Sequence, residues 1–192
     1  FTREETEDFL LELSYLGIDN VLALRGDEKY QKPISLLKST NKYALDLVRQ
    51  IAALQRGDYV SSSKRGIPIP FCIGVAGYPE KHVEAFDLGS DIAHLKEKIA
   101  AGASYVVTQM FFDNRNYFSF VEQCRAVGIT VPIIPGLKVL TSQKQLESLP
   151  HLFGISIPDD LRREVMAVEP RYCVSVGVEW AVQQIKDLRL RG

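Results

Sequence analysis

The chain has 192 residues, 46% of them apolar and 24% charged, the balance of a globular protein long enough to bury a sizeable core. Lys plus Arg total 23 against 24 Asp plus Glu, so no basic footprint marks a nucleic-acid or anionic-membrane partner. No apolar run reaches the length of a membrane span, nothing reads as a signal peptide, and Cys72, Cys124 and Cys173 lack the spacing of a disulfide framework or a zinc site. The reading is a reduced, cytoplasmic protein whose thiols fill core space and which binds no metal.

The chain opens FTREE, without Met and directly at a helix start, which reads as a fragment or a processed chain. Thr2 and Glu5 have the spacing of a capping box, and Phe9, Leu10, Leu13 and Leu16 follow as an apolar stripe that stops at Gly17. IDNVLAL is a short strand ending at Leu24. Asn41 to Leu54 is helical, with Leu47, Val48, Ile51 and Leu54 on its apolar face. Arg56 to Pro70, rich in Gly, Pro and Ser, is the segment expected to be least ordered. The apolar run from Phe71 to Ala76 is the second strand, and it breaks into GYPEKH at 77–82. Leu88, Ile92, Leu95 and Ile99 form the next helical stripe, ending at Gly102, and YVVTQ at 105–109 is the third strand. Tyr117, Phe118, Val121 and Cys124 mark a helix that ends near Gly128, and VPIIPG is the fourth strand. Ser142 to Leu149 reads as a short helix, and another starts at Pro158 or Asp159. Val174, Val178, Ala181, Ile185 and Leu188 give a long last helix.

Short apolar strands alternating with helices mean parallel β-structure with helical crossovers. Two architectures fit, an open doubly wound sheet and a (β/α)8 barrel. A barrel takes about 250 residues, so the legible strands amount to roughly half of one.

The unusual polar residues collect where strands end. The first strand runs into Arg25-Gly26-Asp27, the second into Tyr78 and His82, the third into Thr108-Gln109 and the fourth into Pro135-Gly136. In α/β folds that edge is where ligands bind, whether the sheet is open or closed. Tyr78 and His82 are therefore expected to face a ligand. Each residue also has a plain structural explanation: Asp27 and His82 as caps, Gln109 as a partner for backbone groups. On the following helix Asp91, His94 and Lys98 share an arc of about 60°, fitting either a solvated flank or a ligand edge with hydroxyl and phosphate contacts. A second Arg-Gly-Asp, at 56–58, reads as a solvated turn after a helix. Neither G-x-G-x-x-G nor G-x-x-x-x-G-K-[ST] occurs after a strand, H-E-x-x-H is absent, and there is no serine elbow.

ALRGD at 23–27, YALDL at 43–47, GYPEKHVEA at 77–85, LKEKIAAGASYVVTQMFFD at 95–113 and PIIPGL at 132–137 together resemble the methylenetetrahydrofolate reductase family, in its order and spacing and over essentially the whole chain. The resemblance implies a (β/α)8 TIM-type barrel with FAD at the C-terminal strand ends and a ping-pong reaction. NADH or NADPH would reduce the flavin, which passes hydride to 5,10-methylenetetrahydrofolate to give 5-methyltetrahydrofolate for methionine supply. Residue by residue it implies that Arg25, Gly26 and Asp27 line the flavin, with Asp27 catalytic, its carboxylate stabilising a cationic iminium form of the folate. Tyr43, Ala44, Tyr78, His82, Ala85, Asp91 and Lys98 would contact FAD, and Gln109 and Gln145 the substrates. Gln145 has a rival explanation, a capping box with Ser142. Glu97, His94 and Leu149 depart from the family pattern.

The resemblance further implies one domain, 1–192, cut from a longer barrel. It would lack the N-terminal βα units, with their general-acid Glu, and the final strand. It also implies a homo-oligomer whose partners are folate and NAD(P)H, with no nucleic acid and no membrane. Two other readings stay open. One is a flavin-independent barrel lyase or isomerase acting on a phosphorylated small molecule, with Gly136 and neighbouring amides cradling the phosphate. The other is a non-catalytic cofactor-binding fragment.

Overall fold

A computed structural model describes residues 1–25 and 40–191. In chain order the described elements are α1 (Arg3–Tyr15), β1 (Asn20–Ala23), α2 (Ala44–Leu54), β2 (Cys72–Gly77), α3 (Leu88–Ala100) and β3 (Tyr105–Thr108). They continue with α4 (Asn114–Ala126), β4 (Ile133–Ile134), α5 (Gln145–Phe153), α6 (Asp159–Ala167) and α7 (Cys173–Arg191). The strands form one four-stranded sheet in the order β1-β2-β3-β4, and β1 pairs parallel to β2 with Asn20 opposite Cys72 and Ala23 opposite Val75. This order separates the two architectures left open by the sequence. A doubly wound sheet reverses its strand order at a switch point, whereas strands laid down in strict succession are the pattern of a (β/α)8 barrel. The fold is a parallel α/β sheet of that partial-barrel type.

The chain divides into two compact units, Phe1–Ala76 with Leu95–Val106, and Gly77–His94 with Val107–Gly192. In the first, the Thr2–Glu5 capping box closes as the spacing predicts: Glu5 accepts the Thr2 amide at 2.7 Å, and the Thr2 hydroxyl accepts the Glu5 amide at 3.1 Å. The inward face of α1 carries Glu7 and Leu10, while Phe9 and Leu16 are exposed, so the apolar stripe of the sequence is rotated from the buried one. Val48, Ile51 and Leu54 of α2 are buried as predicted, as are Ile73 and Val75 of β2. The 56–70 segment is better tied than its composition suggests. Glu7, 1% exposed, accepts the Val60 amide at 2.6 Å and the Ser61 amide and hydroxyl at 3.0 and 2.6 Å. The Tyr59 hydroxyl donates to the Ile67 carbonyl at 2.7 Å, and the Gly66 amide to Gly57 at 2.8 Å.

The second unit has a core of Phe112, Leu140, Leu146, Leu149, Ile155, Ile157, Leu161, Val165 and Cys173. Its long helix, α7, forms where the apolar spacing marks it but buries a different stripe. Val174, Val178 and Ile185 are about half exposed, and the buried residues are Cys173, Gly177, Ala181 and Gln184. Close approach explains the choice: a Cβ on Gly177 would lie 1.9 Å from the Leu140 carbonyl oxygen, so the helix docks through its small residues. Trp180 fixes the same helix by donating its indole N–H to the Phe112 carbonyl at 2.9 Å. Helix α5 begins at Gln145 rather than Ser142 and runs on through Pro150 to Phe153, while β4 keeps only Ile133 and Ile134 of the predicted strand. Among the described residues, no helix is long and apolar enough to cross a membrane.

Candidate functional site

The C-terminal ends of β2, β3 and β4 all fall in the second unit and are stitched together there. The Gln109 amide donates to the Gly77 carbonyl at 2.8 Å, and the Gly136 amide to the Thr108 hydroxyl at 2.9 Å. A Cβ on Gly136 would sit 2.0 Å from the Thr108 carbonyl oxygen, so only glycine permits this approach. Because the Gly136 N–H is engaged by Thr108, it is not one of the amides that would cradle a phosphate.

From Gly77 the chain turns sharply. The Lys81 amide donates to the Tyr78 carbonyl at 3.1 Å, and Lys81 adopts φ 73°, the left-handed region that side chains rarely occupy. Its ammonium group caps the turn from below, donating to the carbonyls of Ala85 at 2.9 Å and His82 at 3.3 Å. The turn places the Tyr78 and His82 rings edge to face, with centroids 4.7 Å apart. His82 Nδ1 accepts the Glu84 amide at 3.1 Å, which in the neutral ring leaves the proton on Nε2. Asp91, in the first turn of α3, accepts the His82 amide at 2.8 Å. That bond gives Asp91 an orienting role toward the turn, beside the FAD contact the resemblance implies. Just ahead, Asp87 accepts the Ser90 amide at 2.7 Å; that bond first, and the Ser90 hydroxyl second, hold its carboxyl below the ordinary aspartate value.

Tyr78, His82 and Ala85 thus share one turn, Asp91 reaches it from α3, and Gln109 joins it through Gly77. The Gln109 side-chain oxygen accepts the Met110 amide at 3.2 Å, so its NH2 end is what a ligand would meet. Gln145 is held through the same atom. Its side-chain oxygen accepts the amide of Thr141 at 2.7 Å and the hydroxyl of Thr141 at 3.2 Å, a bracket for the turn into α5 with Thr141, not Ser142, as its partner.

In the first unit, Arg25 is half-buried just past β1, Tyr43 is exposed immediately before α2, Ala44 opens that helix, and Lys98 is half-buried in the last turn of α3. The Tyr43 amide donates to Asp46 at 3.0 Å. Gly26 and Asp27 lie outside the described residues. Among the described residues, no group of three or more His, Cys, Asp or Glu is placed to hold a metal ion.

One pair escaped the sequence. Glu80, inside the turn, accepts the Ser156 amide at 2.9 Å and the Ser156 hydroxyl in a very short bond. The two residues are 76 apart and share no spacing, so no pattern in the sequence pairs them.

Comparison with known proteins adds a family to this geometry. A family model described as methylenetetrahydrofolate reductase matches residues 1–192. The chain is 35% identical over 191 residues to methylenetetrahydrofolate reductase (NADH) 1 of Arabidopsis thaliana, covering 92% of this chain and 30% of the plant protein. It is 34% identical over 162 residues to a Caenorhabditis elegans protein described as a probable methylenetetrahydrofolate reductase (NADPH), covering 84% of this chain and 22% of that one. It is 32% identical over 195 residues to the 5,10-methylenetetrahydrofolate reductase of Pectobacterium carotovorum subsp. carotovorum, covering 100% of this chain and 58% of the bacterial protein. The chain therefore spans between about a fifth and three fifths of these relatives' lengths. Among solved structures, a Clostridium thermocellum protein described as binding two copies of 5-methyl-5,6,7,8-tetrahydrofolic acid matches with a TM-score of 0.50 and 21% identity. That match covers 97% of this chain and 76% of the other, and it speaks to the fold alone.

Proposed function

Because the chain belongs to the methylenetetrahydrofolate reductase family, we propose that it carries part of the active site of a reductase that converts 5,10-methylenetetrahydrofolate to 5-methyltetrahydrofolate at the expense of NADH or NADPH. FAD is the proposed cofactor, and when bound it would supply the hydride relay between nicotinamide and folate. The carrying observation is the turn after β2, where Tyr78, paired with the His82 ring, directly follows the Gly77 carbonyl that accepts the Gln109 amide.

The residues present suit such a group. The ring pair offers an aromatic surface for a flat heterocycle, His82 Nε2–H offers a donor, and Asp91 offers an acceptor for hydroxyls. Gln109 would orient the folate pterin and the nicotinamide in turn through its NH2 group, since its oxygen is held by Met110. Arg25, Tyr43, Ala44, Ala85 and Lys98 carry the remaining cofactor contacts that the resemblance assigns, and Asp27 the charge that favours a cationic folate. The folate named in the description of the Clostridium thermocellum protein is of the same chemical class as the product proposed here.

The test uses the longest natural form of the protein. The expected outcome is a visible flavin band after FAD is added, bleached by NADH or NADPH without oxygen and restored by 5,10-methylenetetrahydrofolate. A protein that stays colourless with FAD and oxidises neither nicotinamide would overturn the reading.

A further inference from the structure

We propose that Glu80 is a positioning residue that holds the turn after β2 in its ligand-binding shape by clamping it to Ser156; the ligand half of this statement rests on the functional reading above.

The turn has two ends, and they are held differently. The far end is held locally, by the Lys81 ammonium on the carbonyls of His82 and Ala85 and by Asp91 on the His82 amide. The near end, where Tyr78 sits, is tied to distant segments, by the Gln109 amide on the Gly77 carbonyl and by the Ser156 amide and hydroxyl on Glu80. Ser156 is a firm anchor because Ile155 and Ile157 on either side are both buried in the core with Phe112, Leu140 and Leu161. A carboxylate that accepts both an amide and a hydroxyl from one residue fixes direction as well as distance. The neighbouring left-handed Lys81 sharpens the need, since a backbone in a sparsely populated conformation persists only where its surroundings over-determine it.

The other carboxylate oxygen, Oε1, is buried and has no hydrogen-bond partner among the described residues. A carboxylate with one oxygen left so is a poor choice for stability alone, because a sealed, unpaired polar atom is unfavourable. The position is accounted for by the shape it gives to a turn that bears the Tyr78–His82 pair.

The experiment compares Glu80→Ala, Glu80→Gln and Ser156→Ala with the wild type in the longest natural form, by two independent readouts. The first is amide hydrogen exchange of residues 78–85 without cofactor. Glu80→Ala is expected to speed exchange there about tenfold, while α4 and α7 keep their wild-type protection. Glu80→Gln, which retains an acceptor, restores most of the protection. The double Ala variant is no worse than Glu80→Ala, because both substitutions remove one contact. The second readout is FAD affinity, expected to weaken about tenfold in Glu80→Ala and much less in Glu80→Gln. Unchanged exchange at 78–85, or exchange that rises throughout the second unit, would overturn the positioning role. Local loosening with unchanged FAD affinity would overturn its link to the ligand. A wild type that binds no FAD would sink the functional reading while leaving the exchange readout to decide the clamp.

Discussion

Glu7 and Glu80 make the same kind of bond in two different regions. Each carboxylate takes a backbone amide and the hydroxyl of one serine from a distant loop, Ser61 in the first unit and Ser156 in the second. The difference lies in the second oxygen. Glu7 fills it with the Val60 amide, and the group is complete at 1% exposure. Glu80 leaves Oε1 sealed without a partner among the described residues. A saturated clamp holds a connecting loop to a helix, while an unsaturated one stands in the turn that bears the candidate ligand contacts. Satisfaction of hydrogen bonds, rather than burial or charge, distinguishes a carboxylate kept for folding from one kept for the shape of a site.

The comparison breaks most visibly at Glu7. Glu7→Ala strands three donors and is expected to cost on the order of 3 kcal/mol in urea unfolding, with the loss of protection centred on residues 59–61. A Glu80→Ala variant that lost as much global stability would erase the distinction. Next in size is Gly136→Ala, which drives a Cβ into the Thr108 carbonyl and should cost about 2 kcal/mol by the same measurement, with faster exchange at Thr108 and Gln109. An Ala variant as stable as wild type would mean that the strand ends are not so closely held.

The smallest effect separates the cysteines. Burial pushes the Cys124 thiol up to about 11 from an ordinary value of 9.0, whereas Cys72 is only half-buried. Raising the folded value favours the protonated thiol in the native state. The native chain therefore holds more protons than the unfolded one between those values, and stability falls as pH rises from about 9 to about 11. At pH 10 the loss is on the order of 1 kcal/mol, and it should vanish from the alkaline unfolding profile of Cys124→Ala. A variant with an unaltered profile would show that Cys124 does not carry it.

Much of this was legible beforehand, for reasons that differ by element. The Thr2–Glu5 cap, the start of β2 and the end of α4 near Gly128 rest on local chemistry, and local chemistry is what a sequence displays. Helix α7 was legible as a helix but not in its buried face, because two stripes of equal period run along it. The valines carry the hydrophobicity, but the close approach of the Leu140 backbone selects Cys173, Gly177 and Ala181. The loop at 56–70 misled because its order comes from Glu7, about fifty residues earlier. The same limit applies at the candidate site. Tyr78 and His82 announce themselves as odd residues at a strand end, whereas Ser156 looks like any serine and matters only through the fold. Gln109 and Gln145 stand together as expected substrate contacts, and in both the side-chain oxygen accepts a backbone amide, that of Met110 and that of Thr141, which leaves the NH2 end to meet a ligand.

Trp180 is the single tryptophan of the chain, and its indole is tied to the Phe112 carbonyl within the second unit. That makes the protein a natural single-colour reporter. Indole emission follows the docking of α7 and is blind to the clamp at Glu7. A far-ultraviolet dichroism signal, by contrast, sums the helices of both units. Overlaying the two optical traces during denaturation therefore tells, without any label, whether the two halves melt as one body or in succession.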